Sequence, residues 1–268
     1  MSQVARGDER TGWWAAATVL WVLLLKNGRQ QSRDLLGFCL TVGTPPFFVM
    51  VYRLVYGSDS AGGLERFMPS LLIFAVIMLI FNTAMAVAKE REQGTWRRLR
   101  RTRVRGLHYL VATGLFQSAL GAMTVGLTFG TAWALGFSPR GEPVWAFVIA
   151  LGAAVACIGM GLAVAALAET VHRAFLMASV AMFLLLLFSG ALFPLPDLVW
   201  LELGGRGVGP LDLLPTVHAV RGLEGVLIGG QGVVEMRGEL LAMAVLSLMY
   251  VGLGWWLFRR VERPPGGH

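Results

Sequence analysis

The sequence predicts an all-α membrane protein with about six transmembrane helices. Hydrophobic residues make up 56% of the 268-residue chain and charged residues only 15%, whereas an ordinary soluble domain carries about 25% charged residues. The apolar residues form long uninterrupted segments, and the basic residues concentrate in alternate gaps between them. A soluble core of this size cannot bury so much apolar surface, but a bilayer can.

Six apolar segments reach the roughly 20 residues that a helix needs to cross the hydrocarbon core. They are Leu35–Gly57, Phe67–Ala88, Leu107–Phe137, Val144–Leu167, Ala174–Phe193 and Leu240–Phe258. The third is longer than a span requires, which predicts a tilt, a kink or a protruding end. Residues 35–258 are therefore the predicted transmembrane domain, between a cytoplasmic N-terminal segment (1–34) and a cytoplasmic tail (259–268).

The distribution of basic residues predicts the orientation. With six spans, the N-terminal segment, the loop 89–106 after the second span and the tail all lie on one side, and they carry most of the arginines. The opposite side carries Arg66, Arg140, Arg206, Arg221 and Arg237. The positive-inside rule then places both termini in the cytoplasm of a multi-pass protein of the cell (inner or plasma) membrane.

The apolar stretch Trp13–Leu25 precedes the first predicted span. It resembles a signal-peptide core, but basic residues flank both of its ends and no small-residue cleavage site follows. Thirteen helical residues extend only about 20 Å, which is too short to cross a bilayer. We expect an uncleaved helix lying in the cytoplasmic interface; a short seventh span is the alternative.

The predicted external loop 194–238 is too apolar for a solvated linker. Its apolar residues cluster around Trp200 and Leu227. We expect short re-entrant or outer-leaflet helices before the last span, with a small ordered periplasmic cap as the alternative.

The loop 89–106 has the composition of a docking helix. Glu90 and Glu92 precede a run of arginines, Thr95 is suited to cap a helix, and Trp96 and Leu99 fall on one face of it. The alternative is a loop whose charges only fix topology or contact anionic lipid.

Two carboxamide residues stand out inside the spans. Asn82 in the second span and Gln117 in the third are polar groups in an apolar setting, where such groups are costly and often functional. They either hold helices together by hydrogen bonds or line a substrate path. Pro45 and Pro46 predict a kink or break in the first span, and glycines in the third and fourth spans predict close helix packing.

Three motifs in this order resemble a known family. They are Glu90-Arg-Glu-Gln-Gly-Thr95 before the basic helix, Phe188-Ser-Gly-Ala-Leu-Phe-Pro-Leu-Pro196, and Leu214-Pro-Thr-Val-His-Ala-Val-Arg221. Together with six spans, an interfacial helix and a long fifth-to-sixth loop, they resemble the ABC-2 type transporter permeases. The resemblance is nearest to the drug-, lipid- and polysaccharide-exporting branch, such as daunorubicin-resistance permeases and nodulation-factor exporters.

The resemblance implies an exporter of an amphipathic, lipid-like, drug or glycan substrate. It implies a complex with two ATP-binding cassette subunits and a second permease, the same or a related chain. Residues implied to couple to the ATPase are Glu90, Arg91, Glu92, Gly94, Thr95, Trp96 and Leu99. Residues implied for a substrate path or helix interface are Asn82, Gln117, Phe188, Ser189, Gly190 and Pro194.

Other functional classes lack their signatures in the sequence. There is no GxxxxGK[ST] loop to hold phosphates, so ATP and magnesium are expected on the partner, and no catalytic residues, metal site or nucleic-acid partner are predicted. A self-contained secondary transporter or channel is the alternative, but it predicts carboxylates at mid-span, and Glu65 and Glu239 lie at span ends. An intramembrane enzyme needs a constellation of His, Asp, Ser or Cys that does not converge here.

Overall fold

The computed structural model describes residues 4–56, 61–94, 106–193, 201–203 and 206–262. Within these ranges the helices are α1 (Val4–Arg33), α2 (Leu35–Tyr56), α3 (Ala61–Glu92), α4 (Gly106–Ala134), α5 (Pro143–Leu167), α6 (Val171–Phe188), α7 (Pro215–Leu227) and α8 (Val233–Glu262). A two-stranded antiparallel hairpin joins β1 (Leu201–Leu203) to β2 (Arg206–Val208), with Leu201 opposite Val208. A 3-10 turn at Pro210–Leu213 leads into α7.

Six of these helices, α2 to α6 and α8, are long and apolar enough to cross a membrane. The predicted all-α membrane fold is thereby confirmed, and each predicted span overlaps one of the six. The third span ends at Ala134, earlier than its apolar run, because the chain turns at Gly136 with a φ of +93°. α2 continues unbroken through Pro45 and Pro46, contrary to a break at that point.

The core of the bundle is built on α3 and α5. The most apolar stretch of α5 is 67% buried and that of α3 is 61% buried, against 22% for α2 and 17% for α6. Small residues on α5, including Ala153, Ala154 and Cys157, are fully buried, so that neighbouring helices approach closely. The exposed faces of α2 and α6 are apolar and suited to lipid or to another membrane-embedded chain.

The bundle has two ends, which we call the Glu90 end and the His218 end. At the Glu90 end, the ring of Phe258 near the end of α8 stacks on Tyr109 at the start of α4, with centroids 6.4 Å apart. At the His218 end, Arg140 lies 3.9 Å from Glu65 at the start of α3. The six long helices therefore alternate in direction, and the last turns of α1 and α8 share the Glu90 end.

Two segments are predicted to form helices that do not cross the membrane, and the structure includes them in α1 and α7. α1 is a helix of 30 residues that contains the predicted Trp13–Leu25 stretch, packs against α4 and α2, and is not among the candidate spans in the described part of the chain. α7 has 13 residues, of which all but Arg221, Glu224 and Gly225 are buried. It packs against α3, α5 and α8 at the His218 end, so the helical segment predicted before the last span is integrated into the bundle.

Candidate coupling site and an adjoining cavity

Glu90 at the end of α3 is a buried carboxylate. Its side chain is 5% exposed, and its Oε1 lies 2.6 Å from Nζ of Lys26 on α1. The Lys26 ammonium also lies 5.8 Å from the centre of the Tyr109 ring on α4, within the range of a cation–π contact. A charge removed from water is tolerated only with such partners. The ion pair therefore fixes α1 against α3 and α4.

Arg91 binds the end of α5. Its guanidinium donates to the carbonyl oxygens of Ala165 at 2.6 Å, Ala166 at 3.3 Å and Ala168 at 3.1 Å. The last carbonyls of a helix have no partner within the helix and form the negative end of its dipole. A guanidinium donates hydrogen bonds to these carbonyls and places a positive charge at the negative end of the dipole. Arg91 therefore fastens α3 to the C-terminus of α5.

Glu92 binds the start of the next helix. Its Oε2 accepts a hydrogen bond from the backbone N–H of Val171, the first residue of α6, at 3.2 Å. Thr170 caps the same helix by accepting from the N–H of Arg173. Because Arg91 binds the end of α5 and Glu92 binds the start of α6, the end of α3 contacts the α5–α6 turn on both sides. We call Glu90, Arg91 and Glu92 the α3 clamp.

The chain leaves the clamp at Gly94. Gly94 has a φ of +70°, and its N–H donates to the Arg91 carbonyl at 3.1 Å. A left-handed glycine just after a helix is a common termination signal. Thr95, Trp96 and Leu99, the other predicted coupling residues, lie outside the described residues. The predicted loop therefore begins at a defined exit from the clamp.

A cavity of about 430 Å³ adjoins the clamp. It lies between α1, α2, α3 and α4, and Lys89 and Glu90 reach its rim. Both carboxamides singled out from the sequence, Asn82 and Gln117, line it. Thr41 on α2 donates a hydrogen bond to Oδ1 of Asn82 at 3.2 Å, which is an interhelical bond of the expected kind. Gln117 is 3% exposed, and its Oε1 has no hydrogen-bond partner among the described residues.

The rest of the predicted path residues lie elsewhere. Ser189 ends α6, is 1% exposed, and its hydroxyl bonds the carbonyl of Leu186 at 3.1 Å. Gly190 follows with a φ of +83°, while Phe188 is 46% exposed. Ser70 on α3 donates to the carbonyl of Ala191 at 2.6 Å, which places this corner towards the His218 end. The structure therefore does not bring these residues together with Asn82 and Gln117, and Pro194 lies outside the described residues.

The His218 end holds a polar cluster that sequence reasoning did not assign. His218 is 8% exposed; its Nδ1 lies 2.5 Å from Oε2 of Glu239 and its Nε2 lies 2.8 Å from the Asp212 carbonyl oxygen. Asp212 accepts from Arg221 at 2.6 Å and from the N–H of Gly209 at 2.7 Å. The His218 and Arg221 positions of the third sequence motif thus fasten α7 to the preceding turn and to α8.

A family model described as ABC-2 type transporter matches residues 18–208, which is 191 of the 268 residues. No curated protein matches the chain. The matched range includes the α3 clamp, the cavity and five of the six candidate spans. The chain belongs to the ABC-2 type transporter family, whose members are membrane subunits of transporters that work with an ATP-binding cassette subunit.

Proposed function

We propose that this chain is the permease subunit of an ATP-driven exporter in the cell inner membrane, with both termini in the cytoplasm. Two ATP-binding cassette subunits hydrolyse ATP with magnesium, and a second permease, the same or a related chain, completes the complex. The substrate is amphipathic: a lipid-like compound, a drug or a glycan. Family membership supports the transporter class, and the charge distribution supports the orientation.

The α3 clamp is the observation that carries the coupling part of the proposal. Residues 95–105 connect α3 to α4 and follow the clamp directly. A partner that moves this loop acts on α3, and through the clamp on α1 and on the α5–α6 turn. One contact surface is thus mechanically linked to most of the bundle.

Two sets of variants separate attachment from transmission. Trp96→Ala with Leu99→Ala removes the apolar anchors of the proposed docking helix, so we expect the ATPase to be lost on co-purification. Glu92→Arg removes the acceptor for Val171 and places a cation at the positive end of α6. We expect Glu92→Arg to retain the ATPase but to lose substrate-stimulated hydrolysis.

Two controls accompany them. Glu142→Arg makes the same charge reversal at the opposite end of the bundle, where Glu142 accepts a hydrogen bond from the indole N–H of Trp145. It should leave ATPase co-purification and substrate-stimulated hydrolysis unchanged. Neutralising Arg101 and Arg103 tests whether loop charge alone matters. The coupling proposal is wrong if Trp96→Ala with Leu99→Ala and Glu92→Arg each keep ATPase co-purification and substrate-stimulated hydrolysis while neutralisation only alters topology. The loop charges would then serve only to fix the topology.

A further inference from the structure

Two arginines at the end of α8 are folded back onto tryptophan rings. Cζ of Arg259 lies 4.8 Å from the centre of the Trp255 ring, and Cζ of Arg260 lies 3.9 Å from the centre of the Trp256 ring. In each pair the arginine follows its ring by four residues, which is one helical turn. An arginine that only reached for water would extend away from the helix. These guanidiniums are instead held at the level of the indole rings, and tryptophan is enriched at the membrane–water interface.

The stacked guanidiniums keep their N–H groups available for an anion. These donors point outward in the plane of the group, so a ring against its face does not use them. Both arginine side chains are exposed, and no carboxylate among the described residues pairs with either. A planar guanidinium with free donors matches the geometry of a phosphate. Other cations at the Glu90 end already have acceptors: Lys26 with Glu90, Lys89 with Asp34, Arg91 with carbonyls of α5, and Arg173 with Glu169.

An apolar stripe leads from these arginines towards the middle of the membrane. Leu248, Gly252 and Trp256 follow one another at intervals of four residues, so they lie on one side of α8. The next interval reaches Arg260. Leu248 is 75% and Trp256 is 47% exposed, and a Cβ atom on Gly252 would meet no described atom within 4 Å. Between Leu248 and Arg260 the helix rises about 18 Å, which is close to the depth of one leaflet with its headgroups.

The stripe lies on the outside of the bundle. α8 packs against α5 and α7, and its buried residues Gly254 and Phe258 face inward near this end. The charge of the outer surface selects its occupant. A zwitterionic headgroup would bring an ammonium next to two unpaired guanidiniums, whereas an anionic phospholipid brings a phosphate without a cation.

We propose that the end of α8 binds an anionic phospholipid from the leaflet at the Glu90 end. Its phosphate accepts hydrogen bonds from Arg259 and Arg260, and its acyl chain follows the stripe from Trp256 to Leu248. This lipid is a resident partner on the outside of the bundle and not the transported substrate. The site therefore goes beyond the proposed function and does not require the ATPase.

The test uses photo-labelling of the full chain in phosphatidylcholine nanodiscs. One sample contains a trace of phosphatidylglycerol with a diazirine on its acyl chain, and another contains phosphatidylcholine with the same chain. We expect phosphatidylglycerol to label residues 248–256 about tenfold more than phosphatidylcholine does, because two basic residues at the membrane surface attract an anionic lipid. Arg259→Gln with Arg260→Gln should reduce this labelling to the phosphatidylcholine level. Trp256→Leu keeps the stripe apolar but removes the ring under Arg260, and should reduce the labelling about threefold.

The matched control is Arg33→Gln with Arg173→Gln. It removes two exposed arginines from the same end of the bundle, but from α1 and α6, and should leave the labelling of α8 unchanged. An excess of inorganic phosphate should not reduce the labelling, because it has no acyl chain to follow the stripe. Equal labelling by the two lipids, undiminished labelling in the α8 double variant or in Trp256→Leu, an equal fall in the control pair, or protection by inorganic phosphate would each overturn the proposal.

Discussion

Three consecutive charged residues of α3 reach three different partners. Successive residues on a helix are rotated by about 100°, so Glu90 points to Lys26 on α1, Arg91 to the end of α5, and Glu92 to the start of α6. Alternating signs match these surroundings: an anion for an ammonium, a cation for helix C-terminal carbonyls and an anion for a helix N-terminus. The sign of each charge and the direction of its side chain together determine which partner each residue binds. Neither the sign nor the direction alone would do so.

At the other end, His218 predicts a pH-dependent stability. Burial lowers the pKa of His218, but the hydrogen bonds to the Glu239 carboxylate and the Asp212 carbonyl raise it by more, so the net pKa is raised. Both partners are acceptors, which the doubly protonated ring satisfies. The stabilisation is fully present below the unfolded pKa of about 6.5 and is lost as the pH rises through the higher folded pKa. We expect the thermal midpoint of the chain in nanodiscs to fall across that window.

The variant His218→Gln removes the titrating ring and should flatten this decline. Glu239→Gln, which keeps the ring but removes its carboxylate partner, should shift the decline to lower pH. Asp212, whose carboxyl pKa is lowered by its bonds to Gly209 and Arg221 despite burial, contributes a loss only at acidic pH. If the thermal midpoint of His218→Gln falls as much with rising pH as that of the unchanged chain, another group causes the fall.

Residue types were predictable from the sequence, but their partners were not. Asn82 and Gln117 stand out because polar side chains are rare in apolar spans, yet they belong to different helices and nothing local indicates that they share a cavity. The resemblance implied that Glu90 couples to an ATPase; its partner Lys26 is 64 positions earlier in the chain. That contact requires α1 to fold back along the bundle, and the tertiary structure, not the local sequence, determines this. Contact of the clamp residues with an ATPase stays a prediction.

At the scale of helices, glycine composition predicted close packing only in part. A Cβ atom on Gly159 of α5 would lie 2.6 Å from the backbone nitrogen of Val251 on α8, and one on Gly161 would lie 2.7 Å from the Ile80 carbonyl oxygen on α3. Gly114 and Gly130 of α4 have no atom of the described residues within 4 Å of such a position, whereas a Cβ atom on Gly121 of α4 would lie 2.7 Å from the Leu79 side chain on α3. The same residue type therefore marks a close contact at some positions and open space at others, because spacing along one helix does not reveal which face meets a neighbour.

This difference predicts opposite outcomes for one substitution. Gly159→Ala forces the backbones of α5 and α8 apart, and overpacking of this kind costs about 1–3 kcal/mol of unfolding free energy. Gly114→Ala adds a methyl group into open space and should be neutral or stabilising by up to about 1 kcal/mol. Unfolding of both variants in a graded mixture of denaturing and mild detergent compares them directly. Equal destabilisation would show that α4 also packs closely at Gly114.

At the scale of the whole molecule, the bundle combines a tightly packed part with a more open one. α3, α5, α7 and α8 form the packed part, with the His218 cluster at one end. α1, α2 and α4 surround the cavity together with α3. The α3 clamp joins the two parts at the Glu90 end, so a force on the following loop reaches both. The number and order of spans were predictable because each must be about 20 apolar residues long, whereas this division depends on contacts between distant segments.

The basic residues of the chain predict the orientation of this bundle in the membrane. The eight basic residues from Lys89 to Arg105 include Lys89 and Arg91 at the Glu90 end, and the positive-inside rule assigns such a cluster to the cytoplasm. Gly141 follows Arg140, whose N–H bonds the Leu227 carbonyl at 3.1 Å at the His218 end. We expect reporter fusions at Gly62 and Gly141 to be active on the external side and one at Gly94 to be active in the cytoplasm. An external signal at Gly94 would reverse the orientation and would leave the loop 95–105 out of reach of any cytoplasmic ATPase.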